Sequence, residues 1–247
     1  MSDRLSDELQ RLYGAANLPL TGSGCLSLVD DAGRVRAMVL ALKAPADWAG
    51  LSPVWRGVQA DLNLPAPAIA VNGVDAYELW FSLAEPVPLA QALAFLSGLR
   101  ERYLAGVKPQ RLQLRPAEST NTPSTPLIPA EQGGSGNWSA FVAPDLAAVF
   151  GDEPLLDLPP GFDAQAELLR RLVCIKPAEF EAALAQLKPL PNAATSAAPS
   201  LADIPERPSL VGPYDSPAQF LRDVMNDSTV ALVLRVEAAK ALLMRNE

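Results

Sequence analysis

Residues 64 to 88 read LPAPAIAVNGVDAYELWFSLAEPVP. Two β-forming runs, Ala68 to Val71 and Tyr77 to Leu83, flank Asn72-Gly73-Val74-Asp75, and Pro86 and Pro88 close the second run ahead of a helical pattern. Asn-Gly between such runs is a strong hairpin signal, because both residues tolerate positive φ and a primed turn follows the twist of the strands. The stretch therefore predicts a β-hairpin. Its runs are almost wholly apolar, so both strands are expected to lie centrally and buried.

Upstream, Leu5, Leu9, Leu12 and Tyr13 recur at helical spacing and predict a helix over residues 3 to 14, with its acids on a solvated face. Cys25 to Val29 and Val35 to Leu42 read as two strands joined by Asp30-Asp31-Ala32-Gly33, in which the paired acids are turn residues. Ser52-Pro53 reads as an N-cap and first helical residue, with Val54, Val58 and Leu62 on one face up to Leu64-Pro65. Downstream, Pro88 to Leu104 carries Leu89, Leu93, Leu96, Leu99 and Tyr103 at spacings of three or four, a long amphipathic helix. Leu112 and Leu114, alternating with Gln113 and Arg115, predict a further strand. The order implies an α+β fold, a mostly antiparallel sheet with helices on one face.

Residues 116 to 137 form a long loop rich in Pro, Ser, Thr and Gly. Its Gly133-Gly134-Ser135-Gly136 lacks the Gly-Lys-Ser/Thr ending of a phosphate-binding loop and reads as a flexible turn. Trp138 to Val142 reads as a strand, Asp145 to Phe150 as a helical turn capped by Asp145, and Asp163 to Ile175 and Pro177 to Leu187 as a helical pair. Residues 188 to 215 are a Pro/Ala-rich linker, after which Ser216-Pro217 restarts a helical pattern. In residues 216 to 247, Phe220, Leu221, Val224 and Met225 can face Leu232, Leu234, Val236, Ala239 and Leu243 as a helical hairpin. A unit that small buries too little apolar area to stand alone, so it is expected to dock, self-associate or bind a partner through Phe220, Leu221, Met225, Leu232 and Leu243. The expected organisation is thus a domain over 1 to 187, a linker over 188 to 215 and a hairpin over 216 to 247.

The chain of 247 residues is 49% hydrophobic, enough for a core, and carries a formal charge of -8. That charge disfavours bulk attraction to nucleic acid or anionic membrane and leaves only a local basic patch for polyanions. No apolar run approaches a membrane span and the first residues lack the apolar region of a signal peptide, so a cytoplasmic protein with no membrane partner is expected. Cys25 and Cys174 sit in apolar settings without Cys-x-x-Cys spacing and read as reduced core residues. There is no histidine, which removes imidazole metal ligands, His acid/base chemistry and every nucleophile activated by His. No metal, no cofactor and no catalytic residue is assigned from composition and spacing.

Leu64-Pro65-Ala66-Pro67, a strand, Asn72-Gly73, Tyr77-Glu78-Leu79-Trp80-Phe81 and Glu85-Pro86-Val87 together resemble the second motif region of archaeo-eukaryotic primases and primase-polymerases. In that family the strand reads approximately aromatic-His-Leu-Trp-Phe after a short turn and precedes Glu-Pro-Val and a helix. The likeness spans roughly residues 35 to 150 and implies a primase-like, RRM-like core. It also implies that the family's catalytic His falls here on Glu78, and that its Asp-x-Asp metal ligands fall in the strand Val39-Leu40-Ala41-Leu42-Lys43, which has no carboxylate. Two-metal nucleotidyl transfer needs closely spaced carboxylates, so the resemblance implies a primase-like frame without polymerase chemistry. A shorter resemblance covers Ser216-Pro217, Phe220-Leu221, Val224-Met225-Asn226-Asp227 and Arg235-Val236-Glu237-Ala238-Ala239-Lys240, which is similar to a helical segment of phage small-terminase-like proteins, oligomeric DNA-packaging adaptors. It implies self-association and a mobile-element origin.

Three functions stay open at this point. The expected one is a non-catalytic interaction or assembly protein whose helical tail recruits a partner or a second copy. The second is a catalytically silent domain that binds nucleic acid, single-stranded in particular, in DNA replication or in a mobile element. Arg100, Arg102, Lys108, Arg111 and Arg115 would then contact phosphates, and Trp80 would stack on bases. The third is an enzyme of unstated reaction using Glu78 and Asp75, with Lys43, in the pocket where the family has its active site.

Overall fold

The computed structural model describes residues 3–14, 25–117, 125–151 and 153–187, together with Gln219. The chain divides into two units, Met1–Leu190 and Pro191–Glu247. All described residues but Gln219 belong to the first unit, so the expected linker and, apart from Gln219, the helical hairpin with its candidates Phe220, Leu221, Met225, Leu232 and Leu243 lie outside the described residues.

The central hairpin forms from β3 (Ala68–Val71) and β4 (Ala76–Pro88), paired antiparallel with Ala68 opposite Trp80 and Val71 opposite Tyr77. Its connection is wider than a primed turn, which corrects the expectation from Asn-Gly. Asn72 is not at positive φ; its Oδ1 instead accepts the N–H groups of Val74, Asp75 and Ala76, each at 2.9 Å, while Gly73 takes φ 79. A side-chain acceptor for three backbone donors stabilises a loop that no strand partner could satisfy. Gly73 is also sterically required, since a Cβ there would lie 2.8 Å from the backbone of Trp138 and Ser139.

The main sheet has five strands. β2 (Arg34–Lys43) pairs antiparallel with β4 on one side and with β5 (Leu112–Arg115) on the other, and β7 (Ala140–Val142) pairs antiparallel with the outer side of β3. The order is β5-β2-β4-β3-β7. The expected α+β class and antiparallel sheet are therefore present. The first strand expected over Cys25 to Val29 is much shorter: β1 (Cys25–Leu26) pairs with β6 (Thr125–Pro126) in a separate two-stranded sheet, and only a Val29–Val35 bridge joins it to β2. Cys25 is exposed and Cys174 half-buried, so neither is the core residue expected from its neighbours.

One sheet face packs against α2 (Trp48–Ala60), α3 (Leu89–Tyr103) and α5 (Pro177–Leu187). Met38, Leu40, Leu42, Leu79 and Phe81 meet Leu51, Val54, Val58, Phe95, Leu96 and Phe180 there, all fully buried. Burying each such side chain stabilises by roughly 1.5–3 kcal/mol before entropy is counted. α2 begins five residues earlier than read from Ser52-Pro53: Asp47 caps it by accepting the Gly50 N–H, and Pro53 lies inside the helix. The opposite face is also covered, by α1 (Asp3–Tyr13) and α4 (Phe162–Arg170) over Ala37, Val39, Ala68, Ala70, Trp80 and Phe141. Helices thus occupy both faces, not the one expected. α4 ends before Ile175 because that residue turns extended and exchanges backbone hydrogen bonds with Ser82 and Ala84, where β4 bulges away from β2. The turn after β7 is a 3₁₀ segment over Ala147–Phe150, and its N-cap is Leu146 with no side-chain cap, so Asp145 does not cap it.

Candidate functional site

Strand alternation places Lys43, Ala41 and Val39 of β2, Glu78 and Trp80 of β4, and Gln113 and Arg115 of β5 on the face that α1 and α4 share. The register sets Glu78 opposite Ala41 and Ala70, and Arg115 opposite Val39. The two alanines leave space above the centre of the sheet. Arg115 crosses β2 through that space to give its Nη2–H to Glu78 Oε1, and Trp80 Nε1 donates to Glu78 Oε2 at 2.8 Å. The ion pair is almost dry, with side-chain exposures of 7% for Arg115 and 5% for Glu78. Each Glu78 oxygen thus has a donor, while Arg115 Nε is buried with no hydrogen-bond partner among the described residues.

Beyond this pair the helices stop and the face opens into a polar cavity of about 280 Å³. Lys43, Gln113 and Arg115 form one wall and Asn72 and Asp75 of the hairpin turn another, with Gln132 and Ser139 contributed by the Gly-rich connection. That connection is an ordered hairpin: Gln132 and Asn137 pair through a 2.8 Å backbone bond, and Gly133, Gly134 and Gly136 supply the positive φ values the tight turn needs. Ser139 Oγ accepts from the Ala130 N–H at 2.9 Å and so pins the wall. A larger apolar groove of about 550 Å³ runs between β7 and α4, lined by Val142, Leu146, Phe150, Leu156 and Leu168 among others. At its side the Gln165 amide accepts from Phe141 N–H at 2.7 Å and donates to Phe141 C=O at 3.0 Å, so a side chain closes the outer edge of β7 as a strand would.

The basic stretch does not form one surface. Arg100, half-buried, and Arg102, exposed, stand at the end of α3, 3.7 Å from Glu101 and from Asp61 respectively, and Arg102 also lies over the Tyr103 ring. Burial and a hydrogen bond to Asp61 push the Tyr103 phenol up to about 12. Lys108 is exposed. Arg111 turns inward and donates to the carbonyl groups of Lys43 and Pro45, tying the β2–α2 connection to β5. Arg115 is buried against Glu78, so it contacts no phosphate as placed. Trp80 is 1% exposed, with the Tyr13 and Phe141 rings 5.2 and 6.0 Å away, so no base can stack on it. That corrects the stacking role expected of Trp80: α1 lies over the ring a nucleic acid would need. Burial also pushes the Tyr13 phenol far above its ordinary value, with Cys174 adding to the shift and Arg11 opposing it.

Among the described residues no three Cys, Asp or Glu side chains converge as a metal site, and no helix is long and apolar enough to cross a membrane. No family model and no curated protein matches the chain. Sequence reasoning missed Gln113, Gln132 and Ser139 as walls of the cavity and Gln165 as the clamp on β7. Gln113 was signalled only by its place between Leu112 and Leu114, and the other three by nothing local.

Proposed function

We propose that the chain is a non-catalytic interaction and assembly protein, a primase-like domain followed by a partner-binding or self-associating helical tail. The observation that carries the reading is the state of Glu78. At the position where the resemblance calls for a catalytic histidine, the side chain is buried, ion-paired to Arg115 and hydrogen-bonded to Trp80. Its cross-strand neighbours are Ala41 and Ala70, methyl groups where a two-metal site needs carboxylates. A carboxylate with both oxygens occupied serves the fold, and the third reading, an enzyme working through Glu78 and Asp75, loses its central group. A cytoplasmic setting is part of this proposal.

The test has two arms. Template-directed nucleotidyl transfer with Mg²⁺ or Mn²⁺ is expected to give no product, and extension above a no-enzyme control would overturn the non-catalytic reading. Light scattering is expected to show the full chain above monomer mass, or in a stable complex, and the chain ending at Leu187 as a monomer. Equal masses and no complex in either form would remove the assembly role.

The nucleic-acid reading keeps one supporting observation, the exposed Arg102 and Lys108 with the half-buried Arg100 at the end of α3 and in the turn after it. Three phosphate contacts to a single strand give a salt slope of about -2 in log affinity against log salt. Anisotropy of a labelled single-stranded oligonucleotide checks this, and binding unchanged in Arg100→Glu/Arg102→Glu/Lys108→Glu would discard it.

A further inference from the structure

The polar cavity has more hydrogen-bonding capacity than its own walls use. Arg115 spends Nη2 on Glu78, and its side chain is only 7% exposed. Lys43 and Gln113, half-buried beside it, make no side-chain hydrogen bond or ion pair with any described residue. On the facing wall Asp75 receives the Asn72 Nδ2–H on Oδ1 at 3.1 Å, and its Oδ2 has no described donor. Lys43 stands opposite Ala76, next in the chain to Asp75, and the two charges still form no ion pair. Among the described residues the cavity therefore sets an ammonium and an amide without a side-chain partner against a half-used carboxylate.

Charge decides the class of ligand. Among the described residues of the lining, Lys43 and Arg115 balance Asp75 and Glu78, a formally neutral set. A phosphate dianion would meet one unpaired cation and the field of two carboxylates, whereas a molecule with one anionic and one cationic end matches both walls. The volume of about 280 Å³ is at the lower end for ligand pockets, which suits a compact molecule. We propose that this cavity binds a zwitterion of the α-amino acid class, its carboxylate received by Lys43 and Gln113 and its ammonium by Asp75. The site goes beyond the assembly role proposed above and does not depend on it.

Thermal unfolding of the full chain, titrated with each of the common α-amino acids at constant ionic strength, tests this directly. Inorganic phosphate serves as the anion control. At least one amino acid is expected to raise Tm by about 3 °C at roughly ten times its Kd, and the shift is expected to vanish in both Lys43→Met and Asp75→Asn. Should Asp75→Asn loosen the turn it belongs to, Lys43→Met alone decides, because Lys43 makes no described side-chain bond in the fold. No shift with any amino acid overturns the proposal, as does a shift of equal size in Lys43→Met. A Lys43-dependent response to phosphate alone also overturns it, since the cavity would then be a simple anion site.

Discussion

Two halves of one sheet face, built from the same strands, have opposite characters. The half under α1 and α4 gathers Ala37, Val39, Ala68, Trp80 and Phe141 into a dry cluster in which Tyr13 packs edge-on to Trp80. One residue pair further along the same strands, Ala41, Lys43, Glu78, Gln113 and Arg115 leave an open polar cavity. Trp80 and Glu78 are two positions apart on β4 and touch through a hydrogen bond, so the boundary between the halves is a single indole N–H. The contrast teaches that residues serving stability and residues free for ligands can alternate along one strand. What separates them is whether a helix lies overhead.

The sharpest way to break that contrast is to remove one member of the pair at the boundary. Arg115→Met leaves the Glu78 carboxylate buried beside an indole alone and is expected to cost about 3–5 kcal/mol in denaturant unfolding. Replacing both members, Glu78→Leu with Arg115→Met, is expected to recover most of that loss, because no charge then remains to be desolvated. Double-mutant losses that simply add would show that the pair is not coupled.

Gln165→Ala probes the covered half at its edge. It removes both amide contacts to Phe141 and is expected to cost about 1–3 kcal/mol, with more self-association as β7 loses its edge protection. Unchanged unfolding and unchanged light scattering would mean that the edge needs no clamp.

The dryness of the covered half can be read from pH. The folded Tyr13 phenol is raised above its unfolded value of about 10, chiefly by burial. Its contribution to stability is therefore complete below about pH 10 and is lost as pH rises further, since the unfolded chain releases a proton that the folded chain retains. The tyrosinate absorbance of the native protein near that pH is expected to be the same in Tyr13→Phe. A smaller signal in the variant would show that water reaches the ring.

The smallest effect belongs to the open half. Lys43→Met is expected to change stability by no more than about 0.5 kcal/mol, because the ammonium has no described partner to lose. A larger loss would mean that Lys43 supports the fold and is not free for a ligand.

Much of the fold was legible because local rules were enough. The periods of α1, α3 and α5, the strands of the hairpin and the β5 pattern at Leu112 and Leu114 all appear where periodicity puts them. The start of α2 was misplaced because Ser52-Pro53 is a good local signal that lost to Asp47, whose carboxylate caps the helix. The second helical layer was written in the near-continuous apolar run from Val35 to Leu42, a pattern of strands buried on both faces, but antiparallel sheets so often face water that one covered face was the natural reading.

The candidate site divides in the same way. Composition alone excluded histidine chemistry, and the strand from Val39 to Lys43 by itself excluded a two-carboxylate metal site there. Whether Trp80, Arg111 and Arg115 were surface or interior could not be read locally, since an aromatic or a cation in an alternating strand suits either face. Tertiary structure decided it: α1 covers Trp80, Glu78 draws Arg115 inward, and backbone carbonyl groups hold Arg111. The sequence determined which groups the chain has and the periods at which they recur. Only packing between segments distant in the chain decided which of those groups are consumed by one another and which are left to meet a ligand.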